Sequence, residues 1–125
     1  MFNTLIVDDN DAFRQSLHQI LARGFPAMCI AEAADGETAL QCMPAYRPDL
    51  IFMDIRMPGA SGLDITKTIK SLYEHTKICV ITSYDLQEYR DAALGCGADY
   101  YIVKDKLITT EISAIVAGIV SSHQG

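Results

Sequence analysis

The chain has no apolar run approaching the ~18 residues of a membrane-spanning helix, and its start has no basic stretch leading into an apolar core. Those absences set the expectation of a cytoplasmic protein with no membrane partner. Positive charge is scarce as well: ten Lys and Arg against sixteen Asp and Glu leave a formal charge of −6, with a pI near 4.8. Phosphate backbones are gripped by clustered Lys and Arg, so no nucleic acid is expected on this domain itself. Cys29, Cys42, Cys79 and Cys96 include no C-x-x-C pair and read as reduced, small, buried residues. His18, His75 and His123 form no pair at helical spacing, which removes the usual zinc signals. Linkers, internal repeats and low-complexity tracts are missing too. With 125 residues, 50% of them apolar, residues 1–125 are expected to fold as one domain with an ordinary core. The closing Ser121-Ser122-His123-Gln124-Gly125 fits a free-standing domain and a piece of a longer protein equally well.

What is present is a five-fold alternation. Short apolar runs at Thr4–Val7, Cys29–Ala33, Leu50–Met53, Ile78–Ile81 and Tyr100–Val103 read as strands buried on both faces. Between them apolar residues recur at helical spacing. Phe13, Leu17, Ile20 and Leu21 form one stripe, Ile65, Ile69, Leu72 and Tyr73 a second, and Ile112, Ile115, Val116, Ile119 and Val120 a third. The second helix is expected to carry Leu40 and Met43 inward and to end at Pro44. The helix between Asp85 and Leu94 has only Leu86, Tyr89 and Ala93 as an inward stripe, so it should be among the looser elements. Five β-α repeats imply a doubly wound α/β fold, a five-stranded parallel sheet of order 2-1-3-4-5 with helices on both faces. Such a flavodoxin-like sheet binds its ligand at the carboxyl ends of strands 1 and 3.

Those strand ends carry the chemistry. Strand 1 runs into Asp8-Asp9, strand 3 into Asp54, strand 4 into Thr82-Ser83 and strand 5 into Lys104. Singly, each has a bland reading: a helix N-cap, the start of a turn, a satisfied strand hydroxyl, a solvated lysine. Jointly they are hard to dismiss, because an open parallel sheet brings all four to one crevice. Two adjacent like charges ending a buried strand raise each other's pKa unless something positive joins them. Three carboxylates with no Cys or His nearby favour Mg²⁺ over Zn²⁺. With the metal in place, Asp54 can attack a phosphoryl donor, as carboxylates do in aspartyl-phosphate chemistry. Lys104 would add charge, and Thr82 a hydrogen bond, at the phosphoryl oxygens.

With these residues assembled, LIVDDN, LIFMDIRMPGASGLD, ICVITSYD and GADYYIVK resemble, in order, the signature blocks of the response-regulator receiver domain (CheY-like) of bacterial two-component signalling. The resemblance covers essentially the whole chain. It implies that Asp54 accepts a phosphoryl group from a histidine kinase. Asp9, Asp54 and the Arg56 backbone carbonyl would bind Mg²⁺ directly, and Asp8 mainly through a water. Lys104 would contact the phosphoryl group and Thr82 would close on it. Tyr101 matches the family's switch aromatic; read alone, it is a half-buried strand residue. Such a domain is not an enzyme in the usual sense, since it catalyses only its own phosphorylation and dephosphorylation. Asp105 stands after Lys104 where many members have proline. A cis Lys104–Asp105 bond would cost ~3–4 kcal/mol, so trans is expected. The lysine-aspartate step is similar to receivers of the NarL/FixJ type, whose usual output is a helix-turn-helix DNA-binding domain, absent from this chain.

The phosphoryl group is expected to draw Thr82 inward, let Tyr101 turn into the vacated space, and shift the fourth helix, fifth strand and fifth helix. Arg56 and Tyr84, two residues beyond Asp54 and Thr82, are expected to flank the path of a hydrolytic water and tune the lifetime of the modified state. A homodimer through the last helix or the strand 5 region is a further expectation. Three competing readings remain at this stage. A flavodoxin-like cofactor binder would need a phosphate-friendly loop, which Asp8-Asp9-Asn10-Asp11 opposes. A Mg²⁺-dependent phosphohydrolase of the D-x-D kind would need an acid where Arg56 stands. A degenerate receiver used only for docking would not need the acids, threonine and lysine that are intact here.

Overall fold

The structure is a computed structural model that describes residues 2–57, 59–104 and 109–124, with residues 123 and 124 described by backbone alone. The Lys104–Asp105 bond therefore lies outside the described residues. Five strands, β1 (Asn3–Val7), β2 (Cys29–Ala33), β3 (Leu50–Met53), β4 (Lys77–Thr82) and β5 (Tyr100–Val103), alternate with five helices. These are α1 (Asp11–Gly24), α2 (Gly36–Tyr46), α3 (Gly62–Leu72), α4 (Gln87–Gly95) and α5 (Thr109–Gln124). All strand pairings are parallel, in the order β2-β1-β3-β4-β5, as the alternation predicts.

The strands are uniformly apolar because the sheet is covered twice. Leu5, Val7, Ile51, Met53, Ile78 and Val80 face one layer, with Ala39 and Met43 of α2, Ile65 and Ile69 of α3, and Ala93 of α4. The intervening Ile6, Leu50, Phe52, Cys79 and Ile81 face the other, with Leu17 and Leu21 of α1 and Ile112, Val116 and Ile119 of α5. Strand side chains alternate by two, so one apolar run feeds both layers.

Three readings of the helices need correction. Pro44 does not end α2. It sits inside the last turn, and the helix runs on to Tyr46 before Arg47 stops it in a left-handed conformation (φ 49°), its N–H bonded to the Met43 carbonyl. A proline this close to a helix end removes one i→i−4 bond without breaking the turns before it. Leu72 is 69% exposed rather than part of the α3 stripe. The buried line is Gly62, Ile65, Thr66 and Ile69; at 3.6 residues per turn it continues to Tyr73, which packs partly on the core, and leaves Leu72 to the side. Leu86 is exposed as well. It is the residue before α4, and it gives that helix no side-chain cap; Ala93 is the only buried residue of α4. Of the expected stripe, Ala93 is buried and Tyr89 packs partly on the core, so α4 is thinly anchored.

Candidate functional site

Strand register places the acids. Val7 pairs with Met53, and the ladder continues one step further as the Asp54 N–H bonds to the Val7 carbonyl at 3.0 Å and the Asp8 N–H to Ala33 at 3.1 Å. Asp8 and Asp54 therefore leave the sheet side by side. They are not helix caps: Asn10 caps α1, accepting from the Phe13 N–H at 3.0 Å. On the other side Thr82 pairs with Val103, so Lys104 emerges next to the buried Thr82.

The side chains converge. Asp8, Asp9 and Asp54 each bring a carboxylate oxygen into a group within 4.8 Å of one another. Asp8 and Asp54 are buried and Asp9 is exposed. The Lys104 ammonium lies 2.7 Å from Asp8 Oδ2 and 3.7 Å from Asp54 Oδ2. It is no solvated surface lysine. Asp8 Oδ1 accepts the Asn10 N–H at 2.9 Å. Oδ2 is buried and accepts no hydrogen bond among the described residues, so its charge is met by the ammonium alone. Burial, and after it the Asp8 charge, raise the Asp54 carboxyl while Lys104 opposes both, and the balance leaves it at about 6. Carboxylates this close together, with one ammonium reaching two of them, leave negative charge that a further cation would offset. The all-oxygen donor set fits a hard divalent ion.

The loop bearing Asp54 is held by a close approach. Ser61 caps α3 through the Leu63 N–H at 3.2 Å, and the Gly62 N–H bonds to the Ile55 carbonyl at 2.8 Å. A Cβ on Gly62 would stand 1.8 Å from the Asp54 carbonyl oxygen. Only glycine lets the helix start so near the acid.

Arg56 and Tyr84 meet. The guanidinium donates to the Tyr84 hydroxyl at 2.7 Å and lies 5.0 Å over the same ring. Tyr84 also stands 5.3 Å from the Tyr89 ring. The Tyr101 hydroxyl donates to the Tyr84 carbonyl at 2.6 Å, with the Arg90 guanidinium 4.7 Å over its ring. Thr82 Oγ1 accepts the Tyr84 N–H at 3.4 Å. Asp8, Asp9, Asp54 and Lys104 thus form one group, and Arg56, Tyr84, Thr82 and Tyr101 a second.

Two residues were missed. Phe13 places its ring 4.4 Å from the Lys104 ammonium. Arg14 holds the Asp8 carbonyl, the Asp11 carboxylate and, at 3.0 Å, Glu32. Phe13 is hidden in the α1 apolar stripe; Arg14 has no sequence signal that separates it from a surface charge.

Known proteins resemble this chain in sequence and in fold. The family model described as "Response regulator receiver domain" matches residues 4–116. The transcriptional regulatory protein DegU of Brevibacillus brevis is 32% identical over 89% of this chain and 47% of its own length. The oxygen regulatory protein NreC of Staphylococcus aureus is 38% identical over 81% of this chain and 47% of its own. The chain spans about half the length of the curated relatives it matches. Among solved structures, the signal receiver domain of a DNA-binding response regulator from Colwellia psychrerythraea superimposes with a TM-score of 0.92 at 24% identity, covering 97% of this chain and 99% of that one. A CheY-like receiver domain protein from Methanospirillum hungatei does so with a TM-score of 0.87 at 26% identity, covering 99% and 98%. The chain belongs to the response regulator receiver domain family of two-component signalling.

Proposed function

We propose that residues 1–125 form a receiver domain in which Asp54 takes and loses a phosphoryl group to switch an output. The observation that carries this reading is the meeting of three carboxylates within 4.8 Å of one another with a lysine that reaches two of them. An Asp54 carboxylate oxygen attacks the phosphorus of a histidine kinase phosphohistidine. The new P–O bond forms as the P–N bond breaks, and the electron pair leaves on the imidazole nitrogen, which takes a proton from solvent. Hydrolysis reverses the charge: water attacks phosphorus, the acyl-phosphate P–O bond breaks, and the carboxylate and inorganic phosphate are released.

Asp9, Asp54 and the Arg56 backbone carbonyl would hold Mg²⁺, with Asp8 acting mainly through a water. Bound there, the ion supplies positive charge to the phosphoryl oxygens and relieves the repulsion among the acids. Lys104 neutralises a further oxygen, and the buried Thr82 hydroxyl turns toward the group. That movement loosens the Tyr84 N–H contact on Thr82 and, through the Tyr84 carbonyl, the anchor of Tyr101. The thinly held α4 is the element with least to lose by shifting. Output then passes from the α4, β5 and α5 face, by homodimerisation or by contact with a DNA-binding segment, in the cytoplasm.

The test is mass spectrometry after incubation with a small phosphodonor and Mg²⁺. One added phosphoryl group that requires both the metal and Asp54, and is absent from Asp54→Asn, supports the proposal. Labelling elsewhere, or catalytic turnover of a generic phosphatase substrate, overturns it.

A further inference from the structure

The Lys104 ammonium has three faces to satisfy. Asp8 takes one at 2.7 Å and Asp54 approaches a second at 3.7 Å. The Phe13 ring stands across a third, its centroid 4.4 Å from Nζ, and only 16% of the lysine side chain remains exposed. Phe13 sits in the first turn of α1, directly after the loop that carries Asp8 and Asp9, and its N–H is tied to the Asn10 cap. The ring is thus fixed to the same loop as the acids.

We propose that Phe13 is a positioning residue for phosphoryl transfer, holding the Lys104 ammonium by a cation–π contact while it moves from Asp8 toward the group on Asp54. This rests on the reading of Asp54 as the phosphoacceptor. An aromatic face attracts a cation without demanding a direction, so the ammonium keeps this partner through a shift of about an ångström. A hydrogen-bonding residue in the same place would hold the lysine at one point. A water in that place would screen it. The ring also excludes water from one side of the ammonium, so the remaining charge acts on the phosphoryl oxygens in a lower dielectric.

Core packing is the competing role, because Phe13 also packs partly against the α1–α5 layer. Substitutions that keep the volume and change the ring's charge distribution separate the two. Replacing Phe13 by mono-, di- and trifluorinated phenylalanine weakens the negative ring face stepwise at nearly constant shape. With a small phosphodonor and saturating Mg²⁺, the rate of Asp54 labelling should fall progressively with each fluorine. Phe13→Leu should lie at the bottom of the series, about 3- to 30-fold slower than the native protein. The Lys104 ε-methylene protons, shifted upfield by the ring in the metal-free protein, should return to ordinary values in Phe13→Leu. Native protein that fails to label refutes the phosphoacceptor reading itself. Native protein that labels at a rate indifferent to fluorination, or Lys104 resonances unmoved by Phe13→Leu, refutes the role of Phe13 alone.

Discussion

Arg56 donates from Nη1 to the Tyr84 hydroxyl at 2.7 Å while lying 5.0 Å over the same ring, so the loops after β3 and β4 are joined two residues beyond Asp54 and Thr82. If Asp54 is the proposed phosphoacceptor, this pair is expected to restrict how water reaches its acyl phosphate. Tyr84→Ala removes both the ring and its hydrogen bond. Its phosphorylated form is expected to lose phosphate roughly 5-fold faster, the effect of about 1 kcal/mol on a barrier. Phosphate release after rapid removal of the donor measures this, and an unchanged rate would discard the pair as a lifetime control.

Asp54 carries a cost in the metal-free protein. Its carboxyl is raised from 3.8 to about 6 on folding. Between those values the folded state keeps a proton that the unfolded state has released, so stability falls as pH rises and the full penalty is present above about pH 6. A shift of roughly two units corresponds to on the order of 2–3 kcal/mol. In EDTA, Asp54→Asn is therefore expected to be more stable than the native chain at pH 7, with the gap closing toward pH 4. Mg²⁺ should stabilise the native chain and not the variant. Urea midpoints across this pH range decide the matter; a constant gap, or one of opposite sign, contradicts it.

The close approach of α3 to Asp54 predicts a strong response to one methyl group. Gly62→Ala forces a Cβ to within 1.8 Å of the Asp54 carbonyl oxygen unless the backbone moves. Overpacking of this kind costs about 1–3 kcal/mol, and the displaced loop should slow Asp54 labelling. A variant with native stability and native labelling would mean that the helix start yields freely.

Leu86, the residue before α4, offers that helix no side-chain cap. Leu86→Ser supplies a side-chain oxygen to the first turn and exposes less apolar surface. It should stabilise the helix by about 1 kcal/mol and slow amide exchange across Gln87–Gly95. If α4 moves in the switch, the same change should reduce the spectral response of Tyr101 to phosphorylation. Unaltered exchange would show that the missing side-chain cap does not limit the stability of the helix.

Much of this protein is written in its local pattern. Strands buried on both faces appear as unbroken apolar runs, so β1 through β5 are legible within a residue or two at each end. Parallel strands joined by helices admit few topologies, so Asp8, Asp9, Asp54, Thr82 and Lys104 can be placed at one edge before any coordinates are seen. The helices are less legible. Pro44 reads as a stop, yet α2 continues because one missing hydrogen bond in a last turn is cheap. Leu72 and Leu86 are apolar and helical in spacing but exposed, because the helix axis and not the spacing alone decides which side meets the sheet.

Sequence by itself determined the five β-α repeats and the gathering of the acids with a lysine at one sheet edge, since period-two and period-3.6 patterns and right-handed crossovers are properties of the chain. Tertiary structure decided which charge meets which: Lys104 nearer Asp8 than Asp54, the Phe13 ring against its ammonium, Arg56 on Tyr84, and the Tyr101 hydroxyl on the Tyr84 carbonyl. Those pairings depend on ångström-scale distances between residues up to 96 positions apart, set by how loops close and rotamers pack, and no local pattern encodes them.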